Sequence, residues 1–431
     1  MRRKPLFPPP ANLKGPGYRL RRKGRRSREV LTVNGAIRPQ RQRYVVRHTG
    51  DPHAGAHPGV ELAALPMVGD DPACQSKVTR GVREMMCRAN LDAGSFANAA
   101  SLLEEMAQIS SSTERLRQVV EHEGRQVQRL QQTRPLAPAW TAEDCRVDAV
   151  DANQLLLPFC PTRVYTGCDG VMVPRVTEAE KHKRREAVKA RRRRRRRKQP
   201  DAKRPKSLPS RRQGADHPWK ELKLVHHYDQ HAERSHVSTT SADHRVAGAV
   251  IARDARKLKT AKADEHVALV DGAPWIRARL ADAGLDLDAV GLDFYHLAEH
   301  VHEARRRVFG EDDPDGHAWA RDLLRQVRDE GYDAFRDRII QTRQSRRGGK
   351  RKALGRLLDY AAARADMIDY PRFQAHGWHI GSGPTEAACK HIPRRLKGSG
   401  MRWDQPGVDA ITHLAALHHS GQWQSYWSQA A

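Results

Sequence analysis

The sequence predicts a mixed α/β sheet flanked by helices, interrupted by a late helical insertion and preceded by a β-hairpin and a small helical region. Three observations carry this. Residues 219–229 (WKELKLVHHYD) and 234–242 (RSHVSTTSA) read as adjoining strands. From HVALVDG (266–272) onward, strand and helix patterns alternate through Trp275–Ala283, DAVGLDFYH (288–296) and LAEHVHEARRRVF (297–309), the order of a mixed sheet with helices on its faces. Residues 315–366 are charged and largely helical, clearest in WARDLLRQVRDEGYDAF, and look like an insertion before the last segment.

The 431 residues carry a formal charge of +27, so the expected partner is a polyanion, nucleic acid before an anionic membrane surface. Six scattered cysteines without a CxxC pair point to a reducing compartment and away from a zinc ribbon. No apolar run approaches the roughly 20 residues that span a bilayer. The basic N-terminus lacks the apolar stretch of a secretory signal. A cytoplasmic, nucleic-acid-associated protein is expected.

In chain order, residues 1–60 read as a basic arm, nearly all cationic from Arg19 to Arg28, followed by a hairpin over 29–46 centred on Asn34-Gly35. A loop is expected over 47–75. Residues 61–134 hold three helical patterns near 76–90, 94–108 and 112–131. The second carries Phe96, Ala99, Leu103 and Met106 at helix spacing, the third Leu116, Val119, Val120, Val127 and Leu130. Ser111 with Glu114 forms a candidate capping box. Helices of this length suit a helix-turn-helix for DNA, although any small bundle gives the same stripes. Residues 135–161 read as a Pro- and Ala-rich linker. RVYTGCDGVMVPR (163–175) reads as strand, turn and strand about Asp169-Gly170. The basic block of 178–213, including Arg191, Arg192, Arg193 and Arg194, cannot bury a core and is expected to be a mobile insertion that contacts phosphates without reading sequence.

The chemistry concentrates on three acids. Asp169 and Asp271 each precede a glycine and are expected at the carboxyl ends of strands, where α/β sheets gather ligands. Glu386 opens a helical segment after a Gly-Ser-Gly turn, among Lys390, Arg394, Arg395, Lys397, Arg402 and Trp403. Singly, an Asp-Gly is usually a turn and an acid among cations a surface salt bridge. Three carboxylates converging would instead suit two Mg²⁺ or Mn²⁺ ions and phosphoryl displacement. Pro393 is expected to kink the Glu386 helix after about two turns. His296, Glu299 and His300 spell H-x-x-E-H, the inverted zinc-protease signature, a short motif easily met by chance among 22 histidines.

Four motifs in order, CDG (168–170), VDGAPWI (270–276), DFYHLAEH (293–300) and IGSGPTEAACK…RRLKGSGMRW (380–403), resemble bacterial insertion-sequence DDE transposases of the Kra type, related to the Mutator-like elements. The resemblance covers about Tyr165 to Trp427. It implies an RNase H-like core in two parts, 162–305 and 367–431, separated by a helical insertion at 306–366. It also implies Mg²⁺-dependent DNA cleavage and strand transfer, with Asp169, Asp271 and Glu386 as triad and metal ligands and Asp293 with His296 as an accessory pair. Trp319 would be an aromatic that stacks on a base. Partners would be the element's terminal inverted repeats and target DNA, bound by a homodimer or higher oligomer at the nucleoid. The alternative is a catalytically inactive DNA-binding remnant of such an enzyme. Where the family often carries a cysteine pair after the first hairpin, this chain has His48, His53 and His57.

Overall fold

A computed structural model describes residues 18–27, 29–38, 40–48, 61–64, 78–133, 136–147, 160–199, 207–210 and 212–429. The arm before residue 18, His53, His57 and residues 148–159 of the expected linker lie outside the described residues. The chain divides into two compact units, Met1–Glu123 with Tyr426–Ala431, and Gly124–Ser425.

In the first unit, β1 (Tyr18–Ser27) precedes a hairpin of β2 (Val30–Thr32) and β3 (Gly35–Ile37). β4 (Gln40–His48) and β5 (Glu61–Ala64) follow. A hairpin forms where expected but covers only Val30–Ile37: Thr32 pairs with Gly35, so the turn falls on Val33-Asn34, and residues 40–46, expected in its second strand, pair with β1 instead. Gly35 takes φ +94°, a conformation glycine adopts without strain. The cationic stretch from Arg19, expected as an arm, is a strand antiparallel to β4, and the sheet order is β1-β4-β5.

Three helices then appear near their expected positions: α1 (Arg80–Asp92), α2 (Phe96–Ala107) and α3 (Thr113–Thr133). The cap of α3 is Ser112, whose hydroxyl accepts the Arg115 N–H at 3.2 Å, one residue later than expected. Glu114 pairs with Arg117 instead. Of the predicted stripe residues, Ala99, Leu103, Leu116, Val119, Val120 and Val127 are buried, while Met106 is exposed. A buried ion pair, Arg83–Glu123 at 2.9 Å, joins α1 to α3, and the Tyr426 hydroxyl donates to the same carboxylate.

The second unit is built on a five-stranded mixed sheet of β6 (Arg163–Pro174), β7 (Trp219–Tyr228), β8 (Ser235–Thr240), β9 (Glu265–Val270) and β10 (Ala289–Leu292). The order is β10-β9-β6-β7-β8. β6, β7 and β8 run antiparallel in sequence, whereas β9 and β10 join parallel on the other side of β6. The expected turn at Asp169-Gly170 is absent. β6 pairs with β7 without interruption from Tyr165 to Pro174, so the two predicted strands are one.

Between β6 and β7 lies α4 (Glu178–Lys198), where a mobile insertion was expected. Thr177 and Glu180 form a capping box, acids occupy its first turn and arginines its last, matching the helix dipole. It buries no residue. Its flanks are stitched together: Ala215 N–H donates to Val176 O and Glu178 N–H to Ala215 O, both at 2.9 Å.

α5 (His244–Leu258), α6 (Pro274–Asp282) and α7 (Phe294–Val308) pack on the sheet face bearing Cys168, Val225 and Val270. The charged block resolves into α8 (Pro314–Glu330), α9 (Tyr332–Gln344) and α10 (Gly348–Ala362), whose apolar stripes extend the same core from Val301 and Val308. Trp319 is part of that core. It is buried, donates to Thr342 Oγ1 at 3.0 Å and packs on Phe309, so it is not placed to stack on a base.

After α11 (Tyr370–Ala375), the opposite face receives α12 (Gly383–His391) and α13 (Gln405–His419). Ala388, Cys389, Ile392 and Ala416 pack there on Val171, Leu224 and Val237. α14 (Trp423–Gln429) ends the described chain. Residues 136–147, expected as linker, bury Trp140, Ala142 and Cys145 against Val164 and Leu258. Among the described residues, no helix is long and apolar enough to cross a membrane.

Candidate active site

Asp169 stands within β6, not at its carboxyl end. The parallel pairing to β9 nevertheless stops one residue earlier, at Cys168 and Val270, so Asp169 is the first β6 residue with an open flank on that side. Asp271 is the residue immediately after β9. The two aspartates are thus neighbours across the point where parallel pairing ends. Asp169 Oδ1 accepts the Gly170 N–H at 2.6 Å, and Asp271 Oδ1 accepts the Ala273 N–H at 2.8 Å. Burial first, and the Asp169 charge beside it, push the Asp271 carboxyl above its usual pKa, against the Ala273 hydrogen bond and the nearby His296 and Arg364.

The two glycines act differently. Gly272 takes φ +76° and a side chain there would collide with Arg364 and Leu292, so it turns the chain as expected. Gly170 continues the strand, and its bare Cα admits the Glu221 carboxylate from β7, whose Oε1 lies 2.1 Å from where a Cβ would sit. Glu221 is in turn paired with Lys223 at 2.7 Å.

Glu386 lies on α12, which is laid over β6. Gly167 makes this approach possible, since an added Cβ would lie 2.0 Å from Thr385 Oγ1. One turn further, Cys389 lies close to the Asp169 carboxylate. Burial, then that carboxylate's charge, raises the thiol's pKa well above the usual cysteine range, so Cys389 keeps its proton and is no nucleophile. The Glu386 carboxylate is half-buried and turned along its own helix to Lys390 Nζ, 3.7 Å away. The Glu386 helix ends at His391, before Pro393, where a kink was expected; Ile392 keeps helical dihedrals, but Pro393 has no N–H to continue the ladder.

Asp293 fastens this arrangement. It caps α7 by accepting the His296 N–H at 2.9 Å, its own N–H donates to Val270 O, and its second carboxylate oxygen accepts the Ser382 N–H. One buried residue therefore ties the end of β9, through its main-chain N–H, to the start of the helix that carries Glu386, through its carboxylate. His296 is partly exposed, with Nδ1 3.9 Å from Glu299. His300 stacks on Tyr360 at 3.7 Å.

Among the described residues, no three His, Cys, Asp or Glu side chains are grouped as a metal cluster. The structure therefore brings Asp169 and Asp271 together and leaves Glu386 beside them, paired elsewhere. It does not assemble His296, His300 and a third ligand for zinc. The aspartate pair suits a hard cation nonetheless: two like charges share a half-buried place that raises the pKa of one of them, and a divalent ion relieves that strain.

The basic residues divide. Lys390, Arg394, Lys397 and Arg402 are exposed, and Arg402 reaches Glu180 of α4 at 3.2 Å. Arg395 is buried, its guanidinium 5.2 Å over the Trp403 ring, and Trp403 Nε1 donates to Leu396 O at 3.0 Å. Arg395 thus serves packing, which corrects its expected place in a DNA-gripping surface, while Trp403 is half-buried. Arg191, Arg193 and Arg194 lie exposed on α4, with Arg192 partly so.

Sequence reasoning missed Glu221, Lys223, Cys389 and Arg364. The last donates to Gly272 O at 3.1 Å and lies 4.0 Å over Tyr360. Only register places Glu221 and Lys223 opposite Met172 and Gly170, and no local pattern in WKELK signals it. Compared with known proteins, the chain matches no family model and no curated protein.

Proposed function

We propose that this protein is a metal-dependent polynucleotidyl transferase, a transposase of the DDE type that binds the DNA ends of an insertion sequence and cleaves and joins them. The observation that carries the reading is the pair Asp169 and Asp271 on adjacent parallel strands, with the Glu386 helix laid over the first and Asp293 binding the two parts. The sheet order, three antiparallel strands continued by two parallel ones across the first, supports an RNase H-like core.

Asp169, Asp271 and Glu386 would hold two Mg²⁺ or Mn²⁺ ions. Bound there, the ions would activate water or a DNA 3′-hydroxyl and stabilise the leaving oxygen. The chain's own share is positional. The Gly170 and Ala273 N–H groups orient the aspartates, and Asp293 sets the distance to α12. Glu386 exchanges Lys390 for the site, while Lys390, Arg394, Lys397 and Arg402 receive phosphates. The substrates in this reading are terminal inverted repeats and target DNA, held by a homodimer or larger assembly at the nucleoid in the cytoplasm, and α1–α3 contribute a helix to the groove.

The test is cleavage of the DNA ends flanking the gene. Cleavage should require Mg²⁺ or Mn²⁺, and Asp169→Ala, Asp271→Ala and Glu386→Ala should each lower it by roughly 10³-fold or more. Unchanged cleavage in the Asp169 and Glu386 variants would sink the triad. A second reading, a DNA-binding remnant without catalysis, draws support from the Glu386–Lys390 pairing. It predicts salt-sensitive DNA binding and no metal-dependent cleavage.

A further inference from the structure

Past the end of β6, along the start of β7, lies a cleft of about 460 Å³ that the chemistry above does not use. It is lined by Arg175, Lys181, Lys220 and Lys223 among others. Arg175 is the unusual member. Only 2% of it is exposed, and Nη2 donates to Gln405 Oε1 at 2.7 Å, yet Nε and Nη1 meet no acceptor among the described residues. Leaving an arginine buried with most of its donors unused is costly unless something of opposite charge completes it.

The acids nearby are already engaged. Asp243 accepts the Arg245 and Val246 N–H groups at the start of α5, and Asp404 accepts Gly407 N–H at the start of α13. Asp409 takes the Ser241 hydroxyl and the Gln405 amide, and Glu221 is held by Lys223. Among the described residues, none of them forms an ion pair with Arg175.

Position says what the missing anion is. Lys223 and Lys220 lie on β7 opposite Gly170 and Val173, so the cleft follows β7 to Arg175, the residue just past β6. Five residues of strand are about 17 Å, roughly five phosphate steps at 3.4 Å each. At the far end Lys181 belongs to the first turns of α4, whose exposed arginines continue the positive track for about 30 Å.

We infer that this cleft is a backbone-phosphate site for a nucleic-acid strand, in which Arg175 supplies the buried fork and Lys181 and Lys220 the rim, at the start of α4 and its arginines. The inference rests on the nucleic-acid half of the proposed function and not on its carboxylate chemistry.

The experiment is fluorescence anisotropy of a labelled single-stranded oligonucleotide, in EDTA and over a range of NaCl. It uses the full chain carrying Arg191–Arg194→Gln so that diffuse contacts are reduced. Adding Arg175→Gln should weaken binding roughly tenfold and lower the slope of log K against log salt by about 0.7, as loss of one phosphate contact on a single strand does. Lys350→Gln, the same charge change on exposed α10, should do neither. If Arg175→Gln fails to fold, the surface variant Lys181→Gln decides by the same slope. An unchanged affinity and slope in the deciding variant overturns the cleft alone. A parent protein that binds no strand overturns the proposed function with it.

Discussion

α4 and α12 are both cationic at their C-terminal ends, and they are held in opposite ways. α4 runs 21 residues, buries none, and is specified by its own chain through the Thr177–Glu180 capping box and a charge order that suits the dipole. α12 has nine residues, too few to persist alone, and its first residues have no side-chain cap. It exists because Gly167 admits Thr385, Cys389 meets Asp169, and Asp293 holds Ser382. A helix that only presents charge can be written locally. One that is too short to persist alone is placed by the fold around it.

The largest test of this contrast is acid. Burial keeps His227 neutral, with its pKa lowered to about 3, and likewise His266 and His413 at about 4. An unfolded chain takes these protons near pH 6.5. Folded values below unfolded ones mean that stability is complete above pH 6.5 and lost as pH falls toward 4. The thermal midpoint of the second unit should drop steadily over that window. A flat profile would remove the buried histidines from the stability of the sheet.

Next in size is Gly167→Val. Its side chain enters the place of Thr385, so stability should fall by about 3 kcal/mol and metal-dependent cleavage should be lost. Urea unfolding and the cleavage assay check it together, and full activity would mean that α12 finds its place by other contacts. Asp293→Ala comes third. An orphaned Ser382 N–H and an uncapped α7 should cost about 2 kcal/mol, and cleavage should fall further than DNA affinity measured in EDTA. Equal losses in both would assign Asp293 to folding alone. The smallest effect is Thr177→Ala, which should cost about 1 kcal/mol of helix and lower the helical circular dichroism without moving the sheet's unfolding transition.

How much of this was legible depended on whether the signal was local. Periodicity located α1, α2, α3 and the strands of the sheet to within a few residues. The two aspartates were singled out from Asp-Gly pairs, although only Gly272 turns the chain while Gly170 makes room for Glu221. Charge density argued against order in the arginine block, yet arginine is a good helix former and the flanking caps are strong. What stayed hidden was set at a distance: the Asp293–Ser382 bond spans 89 residues of sequence. The pairing of Glu386 with Lys390, by contrast, is the local i,i+4 salt bridge that the sequence offers for an acid among cations.

The stitched flanks of α4 carry a consequence for how such a chain can change. Because Val176, Glu178 and Ala215 bond to one another, the chain leaves the sheet and returns to it at one point, and everything between hangs from that knot. The segment is a cassette. Replacing 179–213 by a short glycine linker should leave the sheet intact, and a segment of another length or charge could be spliced in its place. The positive charge carried there can therefore evolve, or be engineered, without renegotiating the fold beneath it.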